Sequence, residues 1–140
     1  MNYNYQEAMK LSNQLCFPLY AAARSVINLY TPYLKPLGLT YTQYIVLLVL
    51  WEKKTATVGE LCETLMLDNG TLTPLLKKMQ TAGYIDRRRS EKDDRIVVIS
   101  LTEAGMNLQL QEEKFRSKLA TVSICRRIKR KNSMIYYMSY

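Results

Sequence analysis

The sequence predicts a mainly helical α+β fold with one small β-hairpin, and three consecutive signals in the middle of the chain predict it. A short helix is expected to begin at Asp68, with small polar side chains in its first turn, and to end at Gly83. Two β-rich runs follow over residues 84–85 and 96–99, and they flank a cationic loop over residues 87–95. A short helix followed by a basic hairpin is typical of a winged helix-turn-helix.

A long first helix is predicted near the N-terminus. Apolar residues recur there at three- or four-residue spacing, which predicts a helix over about residues 12–30. Pro18 lies near its start and either kinks the helix or moves its beginning toward Phe17, because proline is tolerated only in a first turn. Pro32 and Pro36 are expected to stop the helix.

Three further helices are predicted, two before the helix that begins at Asp68 and one after the hairpin. Capping boxes open two of them, over about residues 40–52 and 57–65. Another helix is expected to begin at Thr102 and to continue along an apolar seam that includes Leu108. The whole chain, residues 1–140, is expected to form a single domain, because this length is enough to bury a core.

The positive charge of the chain suits a polyanionic partner, but it is unevenly distributed. The net charge is +8. Five of the basic side chains lie in an atypical C-terminal tail over about residues 119–140: Arg126, Arg127, Lys129, Arg130 and Lys131. Without them the net charge is +3, so the local cluster of arginines in the predicted hairpin is better evidence for a nucleic-acid partner.

The composition excludes several classes of enzyme. The chain has no histidine, which excludes Ser-His-Asp and Cys-His nucleophile pairs and histidine-rich zinc sites, and it has no Gly-rich phosphate loop. We therefore expect no enzyme, no metal and no cofactor. Three cysteines without a Cys-x-x-Cys spacing do not form a disulfide framework. Residues 1–10 are polar and the apolar run over residues 44–51 is too short to span a bilayer, which predicts a cytoplasmic protein.

Several separated motifs resemble one known family. They are Leu-Thr-Tyr-x-Gln-Tyr over residues 39–44, the helix start over residues 67–79 and Arg-Ser-Glu-x-Asp-x-Arg over residues 89–95. In this order and spacing they resemble the MarR family of winged-helix repressors, and Asn-Gln-Leu-Cys-Phe at residues 13–17 is similar to its organic hydroperoxide sensor branch. The resemblance covers about residues 8–118. It implies a homodimer with N- and C-terminal dimerisation helices, which represses transcription at an inverted-repeat DNA duplex until an organic hydroperoxide oxidises it.

Cys16 is the redox sensor that the resemblance implies. A thiol reacts with peroxide as its thiolate, and a helix N-terminus, where Cys16 is expected, favours an anion. Tyr30 and Tyr41 match the tyrosine pair that holds the sensor thiolate in the family, and Tyr20, one turn beyond Cys16, is a third candidate donor. From spacing alone, the alternative is that Cys16 is a small buried apolar residue on a helix face. The other cysteine, Cys62, is expected in the core.

The predicted DNA-binding residues lie at the start of the short helix and in the hairpin. Short hydrogen-bonding side chains suit base edges, while the lysines farther along suit phosphates or are ordinary solvated side chains. Arg95 matches the wing arginine that enters the minor groove in the family, and Asp93 is expected to orient the wing. The alternative for three consecutive arginines is a solvated strand with one of them paired to Asp86 or Glu91. The full set is Asn69, Thr71, Thr73, Lys77, Lys78, Arg87, Arg88, Arg89, Lys92, Asp93 and Arg95.

The C-terminal region departs from the family pattern. After Lys118 the chain is basic and rich in tyrosine, and it lacks the leucine repeat expected of a dimer helix. Cys125 lies in this region, where some family members carry a second, resolving cysteine from the other subunit. The departure predicts a weaker dimer than related proteins form.

Two other functions fit parts of the sequence. One is a MarR-type repressor that a small phenolic or anionic ligand releases from DNA, with Cys16 inert. The other is a thiol peroxidase that uses Cys16 catalytically. The second is disfavoured because the chain offers no obvious second proton donor and places its basic residues in the wing. Peroxide turnover with a thiol reductant separates a peroxidase from either repressor.

Overall fold

The computed structural model describes residues 5–109, in two compact units over residues 5–32 and 33–109. Within this part of the chain, no helix is long and apolar enough to cross a membrane. The basic tail over about residues 119–140, with Cys125, lies outside the described residues, as does the predicted continuation of the last helix.

The first unit consists of a short helix and most of a long one. The elements are α1 (Tyr5–Ala8), a 3-10 turn (Leu11–Asn13) and α2 (Cys16–Leu34), which continues into the second unit. Just before α2, the side-chain amide of Gln14 donates to the carbonyl oxygen of Ala8 at 2.6 Å. Pro18 is the third residue of α2, where its missing amide hydrogen removes no helical bond. The helix therefore begins one residue before the predicted Phe17.

The prediction that Pro32 ends the first helix is wrong. Helix α2 contains Pro32 and continues for two more residues. The proline deprives the carbonyl of Asn28 of its helical donor, but Asn28 is exposed and water can take the donor's place. The helix ends where Pro36 stands in a second 3-10 turn (Lys35–Leu37), after which Gly38 has a φ of 68°, a left-handed conformation that favours glycine.

Helices α3 (Tyr41–Lys53) and α4 (Val58–Leu65) begin at the two predicted capping boxes. At each start a threonine hydroxyl accepts a hydrogen bond from the amide three residues later, and that later side chain accepts one from the threonine amide. The pairs are Thr40 with Gln43 and Thr57 with Glu60. Both predicted starts are confirmed, and both helices end within one residue of the predicted position.

Helix α5 (Asn69–Thr81) follows α4 after a tight turn, so that α4 and α5 form the helix-turn-helix. Met66 closes α4 in a left-handed conformation with a φ of 53°. Asp68 then caps α5, as predicted. Gly83, with a φ of 78°, turns the chain away after the helix ends.

Three antiparallel strands form the sheet, in the order β1-β3-β2. They are β1 (Thr55–Thr57), β2 (Ile85–Arg89) and β3 (Val97–Leu101). The predicted hairpin is confirmed as β2 and β3, whereas β1 was not predicted. The prediction that the cationic loop begins at residue 87 is wrong, because the ladder between β2 and β3 extends to the pair Arg89 and Val97. The loop is confined to residues 90–96.

The core of the second unit is apolar. Its fully buried side chains are Val46, Leu47, Leu50, Leu61, Leu72, Leu76, Met79, Ile85 and Ile99. Cys62 is half-buried, so its predicted place in the core is wrong. Successive helix residues point about 100° apart, and because Leu61 faces the core, Cys62 lies at the side of α4.

Helix α6 is described over residues 103–109 and is anchored by the threonine before it. The hydroxyl of Thr102 donates to the carbonyl oxygen of Gly83 at 2.6 Å and accepts from the amide of Gly105 at 3.1 Å. Leu108 is buried, in agreement with the predicted apolar seam.

Candidate DNA-reading surface and thiol site

The first turn of α5 is organised by the carboxylate of Asp68. Its Oδ1 accepts from the amide of Thr71 at 2.8 Å, and its Oδ2 accepts from the hydroxyl of Thr71 at 2.7 Å. These bonds, the hydroxyl bond first and the amide bond second, lower the pKa of Asp68 below its ordinary value. Thr71 is exposed, as its predicted role requires, but its hydroxyl hydrogen is already engaged with Asp68.

Asn69 is the first residue of α5 and is also exposed. The thiol of Cys62 donates to its Oδ1 across a Sγ–Oδ1 distance of 3.7 Å, which leaves the NH2 group of Asn69 directed to other partners. Cys62 therefore contacts a predicted DNA-binding residue, which reasoning from the sequence missed. The available signal was the pairing of a cysteine in α4 with an asparagine seven residues later, across the turn.

The predicted side chains of α5 lie along the two borders of its outward face. Asn69, Thr73 and Lys77 follow one another at four-residue intervals, while Thr71 and Lys78 lie seven residues apart, two turns along the helix. The remaining side packs on the core through Leu72, Leu76 and Met79. All five predicted side chains thus avoid the buried side of the helix.

Asp93 shapes the loop between β2 and β3, which is the tip of the wing. Its carboxylate accepts from the backbone amide of Arg95 at 2.9 Å, and its carbonyl oxygen accepts from the amide of Ile96 at 3.0 Å. The carbonyl oxygen of Ile96 in turn accepts from the amide of Ser90 at 2.8 Å. These bonds fix the backbone on both sides of the tip, at the residue expected to enter the minor groove.

The three arginines of β2 differ in their surroundings. Arg89 donates through Nη1 to the carbonyl oxygen of Asp94 at 3.2 Å, so it braces the wing tip. Arg87 is half-buried, and its Nε has no hydrogen-bond partner among the described residues. Arg88 is exposed.

The exposed cations of the wing are Arg88, Arg89, Lys92 and Arg95, of which Arg89 is bonded to the carbonyl oxygen of Asp94. The alternative pairing of one of the three β2 arginines with Asp86 or Glu91 does not occur among the described residues, where Arg89 instead uses a backbone carbonyl. The backbone amide of Lys92 donates to the hydroxyl of Ser90 at 3.3 Å.

Cys16 is the first residue of α2 and its side chain is exposed. Within a single chain it is therefore not the buried apolar residue of the alternative view. Tyr20 lies one turn further on the same side of the helix, and its hydroxyl oxygen accepts from Nη1 of Arg24 at 2.9 Å. That bond uses a lone pair of Tyr20, so its own hydrogen remains for donation to another acceptor.

Of the predicted tyrosine pair, Tyr30 is not beside Cys16 within one chain. Tyr30 follows Cys16 by fourteen residues in the same helix, which corresponds to about 21 Å along the helix axis. Its hydroxyl therefore cannot donate to the thiol of its own chain. Tyr41 is the first residue of α3 in the second unit, where its ring centroid lies 6.3 Å from that of Tyr44.

Comparison with known sequences places this fold among transcriptional regulators. The model of the family described as transcriptional regulator SarA/Rot matches residues 28–112. The organic hydroperoxide resistance transcriptional regulator of Bacillus subtilis is 54% identical over 76% of this chain and 72% of its own length. The HTH-type transcriptional regulator SarZ of Staphylococcus aureus is 44% identical over 86% of this chain and 76% of its own length.

Solved structures agree with this placement. The structure of reduced AbfR bound to DNA is 35% identical with a TM-score of 0.71, and the match covers 96% of this chain and 93% of that one. The chain belongs to the MarR family of winged-helix transcriptional regulators. Wild-type MarR from E. coli shares the fold, with a TM-score of 0.62 at 23% identity over 91% of this chain and 97% of that one.

Membership of the MarR family, in the branch of the organic hydroperoxide resistance regulator, confirms the predicted α+β winged helix-turn-helix. The chain is a DNA-binding transcriptional regulator and not an enzyme. The thiol peroxidase alternative is therefore wrong. The helix-turn-helix of α4 and α5 and the wing of β2 and β3 carry the predicted DNA-binding residues and form the candidate DNA-reading surface.

Proposed function

We propose that this chain represses transcription as a homodimer bound to an inverted-repeat DNA duplex, and that an organic hydroperoxide releases it by oxidising Cys16. The position of Cys16 carries the proposal. It is an exposed thiol at the start of a long helix, in a chain 54% identical to a regulator of organic hydroperoxide resistance. The partial positive charge of the helix N-terminus favours the thiolate that reacts with peroxide. A reducing cytoplasm keeps such a thiol free between exposures.

The oxidation is a two-electron step at sulfur. The thiolate of Cys16 attacks the terminal oxygen of the hydroperoxide, the S–O bond forms as the O–O bond breaks, and the alkoxide takes up a proton and leaves as an alcohol. Cys16 becomes a sulfenic acid, which a second thiol converts to a disulfide with loss of water. Both products are reversed by excess thiol, so the switch can be reset.

A second copy of the chain can supply the Tyr30 hydroxyl, which does not reach Cys16 within one chain. Tyr30 is about 21 Å along α2 from its own Cys16, but two α2 helices that run antiparallel bring the Tyr30 of each copy toward the Cys16 of the other. The first unit exposes the apolar surface that such pairing would cover: Met9, Leu11, Leu15, Leu19 and Ile27. Oxidation removes an accepting thiolate at this interface and thereby changes the spacing of the two α5 helices.

The proposed DNA contacts are of two kinds, contacts to base edges and contacts to phosphates or the minor groove. Asn69, Thr71 and Thr73 are short enough to reach base edges in the major groove, while Lys77 and Lys78 lie where phosphates flank it. The exposed wing cations contact the backbone and the minor groove. Two such sets, one from each copy, match an inverted repeat.

A mobility-shift titration tests the proposal. The reduced protein first selects a duplex from a randomised pool, and binding to that duplex is then measured with and without cumene hydroperoxide. We expect the parent chain and Cys62→Ser to be released and to rebind after addition of dithiothreitol, whereas Cys16→Ser binds but is not released. Cys62 is the matched control because it is the other cysteine among the described residues and touches the DNA-reading surface. Equal release of Cys16→Ser would leave a small phenolic or anionic ligand as the signal.

A further inference from the structure

The hydroxyl of Thr71 is held as a hydrogen-bond donor to Asp68. A threonine hydroxyl offers one hydrogen and two lone pairs, and it usually rotates to suit its partner. Here its hydrogen points to Oδ2 of Asp68 across 2.7 Å, while the amide of Thr71 donates to Oδ1 of the same carboxylate at 2.8 Å. The two bonds hold the Asp68 carboxylate at two points, with one oxygen fixed against the hydroxyl. What the exposed Thr71 offers to an outside partner is therefore its lone pairs and its methyl group.

We infer that Thr71 reads DNA as a hydrogen-bond acceptor, and that at the position it contacts it selects adenine or cytosine, the bases whose exocyclic amino group lies in the major groove. Only adenine N6 and cytosine N4 donate there, whereas guanine and thymine present acceptors. Phosphate oxygens are acceptors as well, so a hydroxyl whose hydrogen is engaged does not bind them. Thr71 is thus a determinant of sequence rather than a backbone contact. This inference rests on the proposed use of α5 as the DNA-reading helix.

The surroundings of Asp68 keep it in the accepting role. It lies at the N-terminus of α5, where the helix dipole stabilises a negative charge, and both Thr71 bonds lower its pKa. An ionised carboxylate has no hydrogen to give, so it cannot reverse the bond to the hydroxyl. Gly70 leaves the carboxylate room, because an added Cβ there would lie 3.0 Å from Oδ1 of Asp68.

Asp68→Asn reverses the direction of the hydrogen bond to the Thr71 hydroxyl with little change to the helix. Asparagine caps helices as well as aspartate does, and its Oδ1 can still accept from the amide of Thr71. Its NH2 group then faces the hydroxyl oxygen of Thr71 and donates to it, which releases the hydroxyl hydrogen. Thr71 becomes a donor. It then favours guanine or thymine, or it binds a phosphate oxygen and loses its preference for a base.

The experiment uses the full-length reduced protein and 30-bp duplexes that it selects from a randomised pool. Each adenine and cytosine of the selected half-site is replaced in turn by purine or 2-pyrimidinone, which lack the amino group. We expect one position at which the loss of the amino group weakens the parent chain roughly 3- to 10-fold, the effect of one hydrogen bond. Thr71→Ser, which keeps the hydroxyl, should show the same loss. Thr71→Val, which keeps the shape, should bind the natural duplex as weakly as the parent binds the analogue, and should ignore the replacement.

Asp68→Asn then selects its own duplexes, with Glu63→Gln as the control for the lost charge. Glu63 is an exposed carboxylate of α4, and its neutralisation should change affinity for all duplexes by one common factor. We expect Asp68→Asn to lose the preference for the amino-bearing base at the Thr71 position. If it selects the same base as the parent, or if Thr71→Val remains sensitive to the amino group, the inference is wrong while DNA binding by α5 stands. If the parent chain selects no duplex, the proposed function fails and this inference with it.

Discussion

The indole Nε1 of Trp51 donates a buried hydrogen bond of 3.0 Å to the carbonyl oxygen of Gly105. Trp51 lies near the end of α3 and Gly105 in the first turn of α6, fifty-four residues later. The backbone of Tyr84, just before β2, packs against the same glycine, and its carbonyl oxygen accepts from the amide of Thr102 at 3.1 Å. The base of the wing, α3 and α6 are therefore joined at one crowded point.

Gly105→Ala should destabilise the protein strongly. A Cβ at this position would lie 2.1 Å from the carbonyl oxygen of Tyr84, which is backbone and cannot move aside without shifting the wing base. We expect a loss of about 2–4 kcal/mol in the free energy of unfolding, measured by urea denaturation. Gly59→Ala is the control, because its Cβ would find only the Thr57 hydroxyl at 3.9 Å. That change should be neutral or stabilising by up to about 1 kcal/mol, and equal effects of the two would contradict the packing described.

The two capping carboxylates should make stability depend on pH. Hydrogen bonds lower the pKa of Glu60, chiefly from the amide of Thr57 and then from its hydroxyl, and those of Thr71 lower the pKa of Asp68. A carboxylate whose pKa is lower in the folded state stabilises the fold above its ordinary value and loses that contribution as the pH falls through the folded pKa. We expect the melting temperature to begin to fall as the pH drops below 4.5, the ordinary value for Glu60, and further below 3.8, that of Asp68.

Asp68→Asn separates the cap from the titration. Asparagine retains an accepting oxygen but does not ionise, so the melting temperature at neutral pH should change little and its decline in acid should be smaller than in the parent. Glu63→Gln removes an exposed carboxylate of the same helix-turn-helix, whose side chain makes no hydrogen bond to a described residue. A decline reduced equally by both variants would mean that overall charge, and not the cap, sets the acid sensitivity.

The sequence predicted those parts of the fold that neighbouring residues decide. The capping boxes at Thr40 and Thr57 and the cap at Asp68 each depend on residues three positions apart, so they are visible without tertiary structure. Strand β1 is three residues long and exists because Ala56 pairs with Ile99, more than forty residues away. The prediction for Pro32 was wrong for a similar reason. Whether the carbonyl of Asn28 can do without its helical donor depends on its access to solvent, which the sequence does not show.

The candidate site shows the same division. Residue types and the family resemblance indicated Cys16 and the DNA-reading side chains, but only coordinates show that Arg89 braces the wing and that the hydroxyl of Thr71 is engaged. The relation of Tyr30 to Cys16 could have been tested from the helix prediction alone. Fourteen residues of one helix already place the two side chains too far apart to touch within a chain.

Asp93→Ala should weaken DNA binding even though it removes a negative charge from the wing. The carboxylate of Asp93 holds the amide of Arg95, so its loss frees the loop that presents the arginine. We expect roughly 3- to 10-fold weaker binding, because one hydrogen bond that orders the loop is lost. Glu91→Gln removes an exposed wing charge without losing such a bond, and it should bind slightly more tightly. Tighter binding by Asp93→Ala would mean that charge outweighs the order of the loop.

Arg95→Ala should weaken binding by about 1–3 kcal/mol if its side chain enters a groove. For the parent dimer, neutralisation of on the order of 6–10 phosphates gives a log–log dependence on salt with a slope of roughly −5 to −9. The slope should become less steep by about 1 for each chain of the dimer in Arg95→Ala. An unchanged affinity and slope would make Arg95 a solvated residue of the wing. Fluorescence anisotropy at several salt concentrations measures both quantities.

Tyr30 should act on the Cys16 of the partner subunit. Tyr30→Phe keeps the ring but removes the hydroxyl, so the homodimer should bind DNA and react with hydroperoxide roughly tenfold more slowly, the effect of one donor to a charged acceptor. Tyr41→Phe and Tyr20→Phe test the other two candidates in the same way. The rate of sulfenic acid formation at Cys16, trapped with a dimedone probe, is the measurement.

Mixed dimers decide which chain the hydroxyl serves. When a Cys16→Ser chain is paired with a Tyr30→Phe chain, the single remaining thiol lies in the chain that has lost the hydroxyl, and its partner keeps an intact Tyr30. Action across the dimer predicts the parent rate for that thiol, whereas action within the chain predicts the slow rate. The reciprocal pair, a parent chain with the double variant Cys16→Ser and Tyr30→Phe, predicts the opposite outcomes. Because the separation of about 21 Å along α2 rules out contact within one chain, the first pair should react quickly and the second slowly.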